Sequence, residues 1–234
     1  MSFIISSITP VIIFLFLIYN KDSIKEPIGL LLKCFFGGFL SIILTLILDK
    51  LLQPFGLGFS GPFLRSFFEA FLQAGLPEEF SKFILLYWLV WKRKEFDQHF
   101  DGIIYAVFVS MGFALVENLM YIYHGGLSVA FFRAVLAVPG HFFFAVVMGY
   151  YFSLAKFHKG PQKRTFILKS LLVPVIMHGL YDFTLIYAGN SKDNRTLAAI
   201  LMISFTLLVI RSWKHGLHKI SLHYQRDIAI SEVK

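Results

Sequence analysis

The chain has one cysteine, Cys34, in 234 residues, so neither a disulfide framework nor a cysteine metal site is available to it. Charge is scarce as well: 15% of residues are Asp, Glu, Lys or Arg, while 57% are hydrophobic and 28 are phenylalanine. Such a composition excludes an ordinary soluble domain of this length and fits a polytopic membrane protein. There is no glycine-rich phosphate loop, no internal repeat and no low-complexity tract, and no large polar segment is left over for a soluble domain. The formal charge of +8 could point to nucleic acid, but lysines placed in loops by the positive-inside rule account for it better, and no nucleic-acid partner is expected.

Most of the chain falls into apolar stretches near the ~20 residues that cross a bilayer. We read seven spans, at 2–19, 28–48, 75–91, 102–122, 131–155, 166–188 and 197–212, with an eighth allowed. The expected fold class is therefore all-α: one integral membrane domain over 1–212, followed by a short basic tail at 213–234. The first span has no basic flank before it and no small-residue cleavage site, which marks it as a retained helix. The loops after spans one, three and five, with the segment after span seven, hold fourteen of the 22 Lys and Arg. The opposite loops hold five: Lys50, Arg65, Arg133, Lys192 and Arg195. That asymmetry places the N-terminus outside and the C-terminus in the cytoplasm of a cell-membrane protein. Residues 63–75, "FLRSFFEAFLQAG", set Arg65, Glu69 and Gln73 four apart on one helical face. We read this segment as an amphipathic helix on the outer surface. The other arrangement is the first half of a long third span, kinked at Gly75 and Pro77.

Against this background the ionisable residues inside spans need a reason, since one charge at a helix centre costs about 2.5–3.5 kcal/mol on insertion scales. They are Glu78, Glu79 and Lys82 in span three, Glu117 in span four, His141 in span five, and His178 and Asp182 in span six. Glu78 lies 14 residues from Lys92, Glu117 16 from Asp101, His141 15 from Lys156 and His178 14 from Arg164. At 1.5 Å per residue, all four sit roughly 21–24 Å from the cytoplasmic face. Independent structural residues have no cause to agree in depth. The agreement points to one polar cavity in the outer half of the bilayer.

Carboxylates and imidazoles together serve acid–base catalysis, divalent metal binding or proton relay. A serine or cysteine nucleophile lacks its usual company here, the H-E-x-x-H zinc signature is absent, and a second intramembrane Asp beside Asp182 is missing. A proton-coupled transporter would use the same residue types but often shows inverted repeats; none surrounds Pro139 or Pro174. "EEFSK", "GFALVEN", "GHFFFAVVMGY" and "HGLYD", in this order on successive helices, resemble the PrsW family of intramembrane proteases, relatives of the glutamate-dependent CAAX prenyl endopeptidase group. The resemblance covers about residues 75–185.

It implies cleavage of a membrane-anchored protein, such as an anti-sigma factor. Carried over motif by motif, the catalytic glutamates are Glu78 and Glu79, the histidines His141 and His178, and the second acidic motif Glu117 with Asn118. In that reading Glu78 or Glu79 is the general base for water, His141 helps hold the water, and His178 donates to the developing oxyanion. Lys82, one turn beyond Glu78, neutralises a carboxylate. Asp182 stands where the CAAX group commonly has Asn four residues after the last His. Either it stays protonated, or it orients His178 while Asn118 or another donor serves the oxyanion. No cofactor is required, yet Glu78, His141 and His178 could ligate a metal such as zinc. A non-catalytic relative of the same fold is the remaining alternative.

Overall fold

The computed structural model describes the backbone from Ser2 to Asn190 and from Arg195 to Glu232; within it, the side chains of 2–7, 122, 124, 126–127, 195, 198 and 230–232 are left aside. The described residues are helical apart from short connections, with no strand: α1 (Ser2–Lys21), α2 (Ile28–Gly56), α3 (Pro62–Phe67), a π-helical segment (Phe68–Gly75), α4 (Leu76–Val90), α5 (His99–Phe132), a second π-helical segment (Arg133–Ala137), α6 (Val138–Phe157), α7 (Gly160–Asn190) and α8 (Arg195–Glu232). Among the described residues, five helices are long and apolar enough to cross a membrane: Ile28–Gly56, His99–Tyr121, Ser128–Phe157, Gly160–Asn190 and Ala199–Ala229. Ile8–Lys21 is a shorter apolar helix, and α4 carries three charges in 15 residues. Lys192, counted above with the outer loops, lies outside the described residues, as does the side chain of Arg195.

Helices α5 and α6 form the centre. They are apolar around their whole circumference, which is the pattern of a helix enclosed by others, and Val138–Leu154 is buried apart from Tyr151. The chain doubles back between them. Asn118 and Arg133 would stand ~22 Å apart along a straight helix, but Arg133 Nε donates to Asn118 Oδ1 at 2.7 Å. Glycine sets the close crossings. A Cβ on Gly112 would fall 1.9 Å from the Phe35 carbonyl of α2, and one on Gly149 of α6 would fall 2.3 Å from the Gly102 carbonyl of α5. Without an apolar driving force between helices in lipid, such close backbone packing is what holds neighbours together.

The segment 63–75 is continuous with the helix over the stretch read as span three. Helix runs without interruption from Pro62 to Val90 through Gly75 and Pro77, the second of the two arrangements the sequence allows. Aromatic packing holds it alongside α7: Phe63 meets Phe183 and Tyr187 edge-on at 5.3 and 5.5 Å, and Phe71 packs over Gly179. Both π segments end just before a proline, Pro77 or Pro139, at the start of the next helix. Proline has no N–H and its ring crowds the carbonyl four residues back, so the turn ahead of it widens by one residue. Each widened turn leads directly to a site residue, Glu78 or His141, a common position for such bulges.

The basic tail read at 213–234 continues α8, helical to Glu232. It stays helical because it has a surface to bury. Ile220, His223 and Asp227 are buried, His223 Nε2 lies 3.0 Å from the Tyr150 carbonyl, and Asp227 accepts from the backbone N–H groups of His99 and Phe100 at 2.9 and 2.7 Å. A carboxylate there satisfies free donors at the N-terminus of α5 and complements its dipole.

Candidate active site

The site is assembled from α4, α5, α6 and α7 around one ammonium group. Glu78 and Glu79 sit in the first turn of α4, and Lys82 follows one turn later, so all three side chains reach the same region. Lys82 Nζ donates to Glu79 Oε1 at 2.8 Å and to Glu78 Oε2 at 3.3 Å, and it lies 3.1 Å from His141 Nδ1 on α6. It also stands 4.1 Å from the centre of the Phe113 ring, a cation–π contact. An ammonium has only donors to offer. His141 Nδ1 must therefore accept, which leaves Nε2–H to donate to Glu117 Oε2 at 2.8 Å. The network thereby selects the tautomer of His141.

His178 on α7 is bracketed by carboxylates. Its Nδ1 is 2.9 Å from Glu79 Oε1, and its Nε2 is 3.3 Å from Asp182 Oδ2 and 4.0 Å from Glu78 Oε2. A proton on either nitrogen has an acceptor. Phe144 stacks on the imidazole at 4.9 Å between centroids, and the His141 and His178 rings are 5.4 Å apart. Every residue read from the sequence as catalytic is thus in this cluster: Glu78, Glu79, His141, His178 and Asp182, with Lys82 and Glu117 as supports. Asn118 is placed differently. It is buried, accepts from Arg133 Nε with its Oδ1, and does not border the cavity described below, so an oxyanion role for it gains nothing from its position.

Arg133 is the residue that sequence reading missed. It was counted with the outer loops, but its Nη2 lies 2.6 Å from Glu117 Oε2 from within the second π turn. A signal was available in "FFRAVLAVPGH": an arginine inside an apolar run, eight residues before His141. Ser110 donates its hydroxyl to the His141 carbonyl at 3.0 Å, a structural bond that occupies its proton.

The two adjacent glutamates differ in surroundings. A cavity of about 670 Å³ opens between α2, the first π segment, α5 and α7, bordered among others by Glu78, Glu117 and Asp182. Glu79 lies beneath it, 1% exposed, with Oε1 bonded to both Lys82 and His178. Its other oxygen, Oε2, is buried without a hydrogen-bond partner among the described residues. One donor atom from each of Glu78, Glu79, His141 and His178 lies within 4.8 Å of the others. Two carboxylates and two imidazoles are a donor set that suits zinc, and the unused oxygen of Glu79 adds a free ligand atom. Lys82 Nζ already bonds three of the four groups, so an ion there shares them with a fixed positive charge.

The chain matches a family model described as "PrsW family intramembrane metalloprotease" over residues 26–210. Protease PrsW of Oceanobacillus iheyensis is 37% identical over 211 residues, covering 90% of this chain and 94% of that protein. Protease PrsW of Clostridioides difficile is 37% identical over 221 residues (92% and 88%), and that of Bacillus subtilis 36% identical over 186 residues (79% and 83%). No solved structure matches the chain.

Proposed function

Because this chain belongs to the PrsW family of intramembrane proteases, we propose that Glu78 is its general base and that Glu79 is a positioning residue fixed behind it. The observation that carries this is the contrast between them: Glu78 borders the cavity, whereas Glu79 is enclosed and held by Lys82 and His178. The substrate is a membrane-anchored protein with one extended segment lying in the cavity. Glu78 takes a proton from water, the water oxygen bonds to the scissile carbonyl carbon, and the carbonyl oxygen acquires negative charge. His178 Nε2, between Asp182 and Glu78, donates to that oxygen. The C–N bond then breaks, and the proton held by Glu78 passes to the leaving amine. Asp182 orients His178 as an acceptor. His141 and Arg133 hold Glu117 at the cavity wall, and Lys82 keeps the two adjacent carboxylates from repelling each other.

In the same proposal the seven helical columns (α1, α2, α3 with α4, α5, α6, α7 and α8) each cross the membrane, with the N-terminus outside and the C-terminus in the cytoplasm. The cavity then faces the outer half of the bilayer. A divalent ion, as the family model's description implies, would be held by Glu78, Glu79, His141 and His178, and when bound would polarise the carbonyl and acidify water.

The test is cleavage of a single-span model substrate by purified protein in liposomes, run beside metal analysis of the same preparation. We expect cleavage that Glu78→Gln lowers by at least a hundredfold. Full activity in Glu78→Gln would remove it as the base. Stoichiometric zinc, with activity lost to a chelator and restored by the metal, would make the site a metal centre rather than a glutamic one.

A further inference from the structure

Among the described residues, five acidic side chains border the cavity and no lysine or arginine does: Asp49, Glu69, Glu78, Glu117 and Asp182. Four of them have a basic partner. Glu69 is 2.9 Å from Arg65, Glu78 is 3.3 Å from Lys82, Glu117 is 2.6 Å from Arg133, and Asp182 is 3.3 Å from His178. Asp49 is the exception, with no ion pair or hydrogen bond for its carboxylate among the described residues. It stands on α2, one residue past the apolar stretch at 28–48. Lys50 beside it does not answer the charge, because consecutive helix residues point in different directions. What singles Asp49 out is that it borders the cavity half-buried and, unlike the other four acids, lacks an internal partner among the described residues.

Resting on the proteolytic reading of this cavity, we propose that Asp49 is a specificity residue that receives a lysine or arginine side chain of the substrate, close to the bond that is cut. The wall leading to it has the shape of that ligand. Ile42, Thr45 and Leu46 share the cavity-facing side of α2 with Asp49, one and two turns earlier, and supply apolar surface for a long aliphatic stem. The carboxylate at the end meets the cationic head. A neutral or acidic side chain in the same place leaves Asp49 uncompensated or opposed, so discrimination comes from the unsuitable partner as much as from the suitable one. The cavity's volume, about 670 Å³, admits a peptide segment of a few side chains.

The experiment uses the full-length protein and single-span substrates that differ at one position at a time, carrying Lys, Gln or Glu at each site flanking the cut. Cleavage is measured with the intact enzyme. Binding of the matching labelled peptides is measured with Glu78→Gln, which needs no turnover. At one position we expect the Lys form to bind and be cleaved at least tenfold better than the Gln form, about what one partly desolvated charge pair supplies. Asp49→Asn should bring that ratio to within twofold, and Asp49→Lys should reverse it in favour of Glu. The reversal cannot arise from misfolding, since it requires a variant that binds. Equal binding of Lys, Gln and Glu at every position, or a Lys preference that survives Asp49→Asn, would overturn the assignment. Binding with the expected preference but no cleavage of any substrate would instead overturn the proteolytic reading and leave the cation site standing.

Discussion

Replacing each of the two adjacent glutamates with glutamine should produce opposite defects. Glu79 Oε1 accepts from Lys82 at 2.8 Å and lies 2.9 Å from His178 Nδ1, fully enclosed. A hydrogen bond to a charged group is worth about 1.5–3 kcal/mol, so losing the charge on this oxygen weakens two such bonds at once. Lys82 would keep a single anionic neighbour, Glu78 at 3.3 Å, while remaining 1% exposed. Breaking a buried pair by removing one partner costs about 3–5 kcal/mol, and Glu79→Gln should lose about that much stability. Glu78 makes one longer bond to Lys82 and its side chain is 12% exposed to the cavity, so Glu78→Gln should lose about 1 kcal/mol or less. Activity should rank the other way per folded molecule: Glu78→Gln down at least a hundredfold, Glu79→Gln down through displacement of His178. Unfolding by denaturant in mixed micelles, paired with cleavage per folded protein, measures both. Equal destabilisation by the two substitutions, or a greater loss for Glu78→Gln, would refute the division of labour.

Asp182→Asn should lower kcat severalfold, because an amide oxygen is a weaker acceptor for His178 Nε2 than a carboxylate at 3.3 Å; a variant as active as wild type with a flatter alkaline limb in its pH–rate profile would make Asp182 a proton donor instead. Reporters fused after Lys94 or Lys163 should read as cytoplasmic and those inserted near Gly125 or Asn190 as external, and a cytoplasmic signal at Gly125 would reverse the orientation of the cavity. Between α1 and α2, burial pushes the Glu26 carboxyl up from 4.5 to about 7, partly opposed by its bond from the Tyr105 hydroxyl. The folded state thus holds a proton that the unfolded state releases near 4.5, so stability is greatest below that pH and declines as pH rises through 7. Glu26→Gln should flatten this decline in melting curves taken from pH 4.5 to 8, and an unchanged slope would show that Glu26 does not cause it.

How much of this could be read from residues alone follows from what each inference rests on. Long apolar runs and the few charges within them are local properties, so the helical class and the common level of Glu78, Glu117, His141 and His178 along their helices were legible from composition and a 1.5 Å rise. The ordered motifs were enough to indicate the family, which the matches over residues 26–210 bear out. What depended on azimuth was not legible. Depth along a helix does not say which way a side chain faces, so Glu78 and Glu79 looked alike until α7 brought His178 against one and the cavity opened beside the other. Arg133 was assigned to a loop because its partner Glu117 is 16 residues away and meets it only where the chain doubles back. The continuation of α8 past residue 212 was hidden for a similar reason, since its polar sequence becomes a buried helix only because α5 and α6 offer it a surface. Sequence alone determined which polar residues stand in apolar stretches and how far along them they lie, because composition and helical rise act residue by residue. The tertiary structure decided which of them touch, because contact depends on the rotation and crossing of helices far apart in the chain.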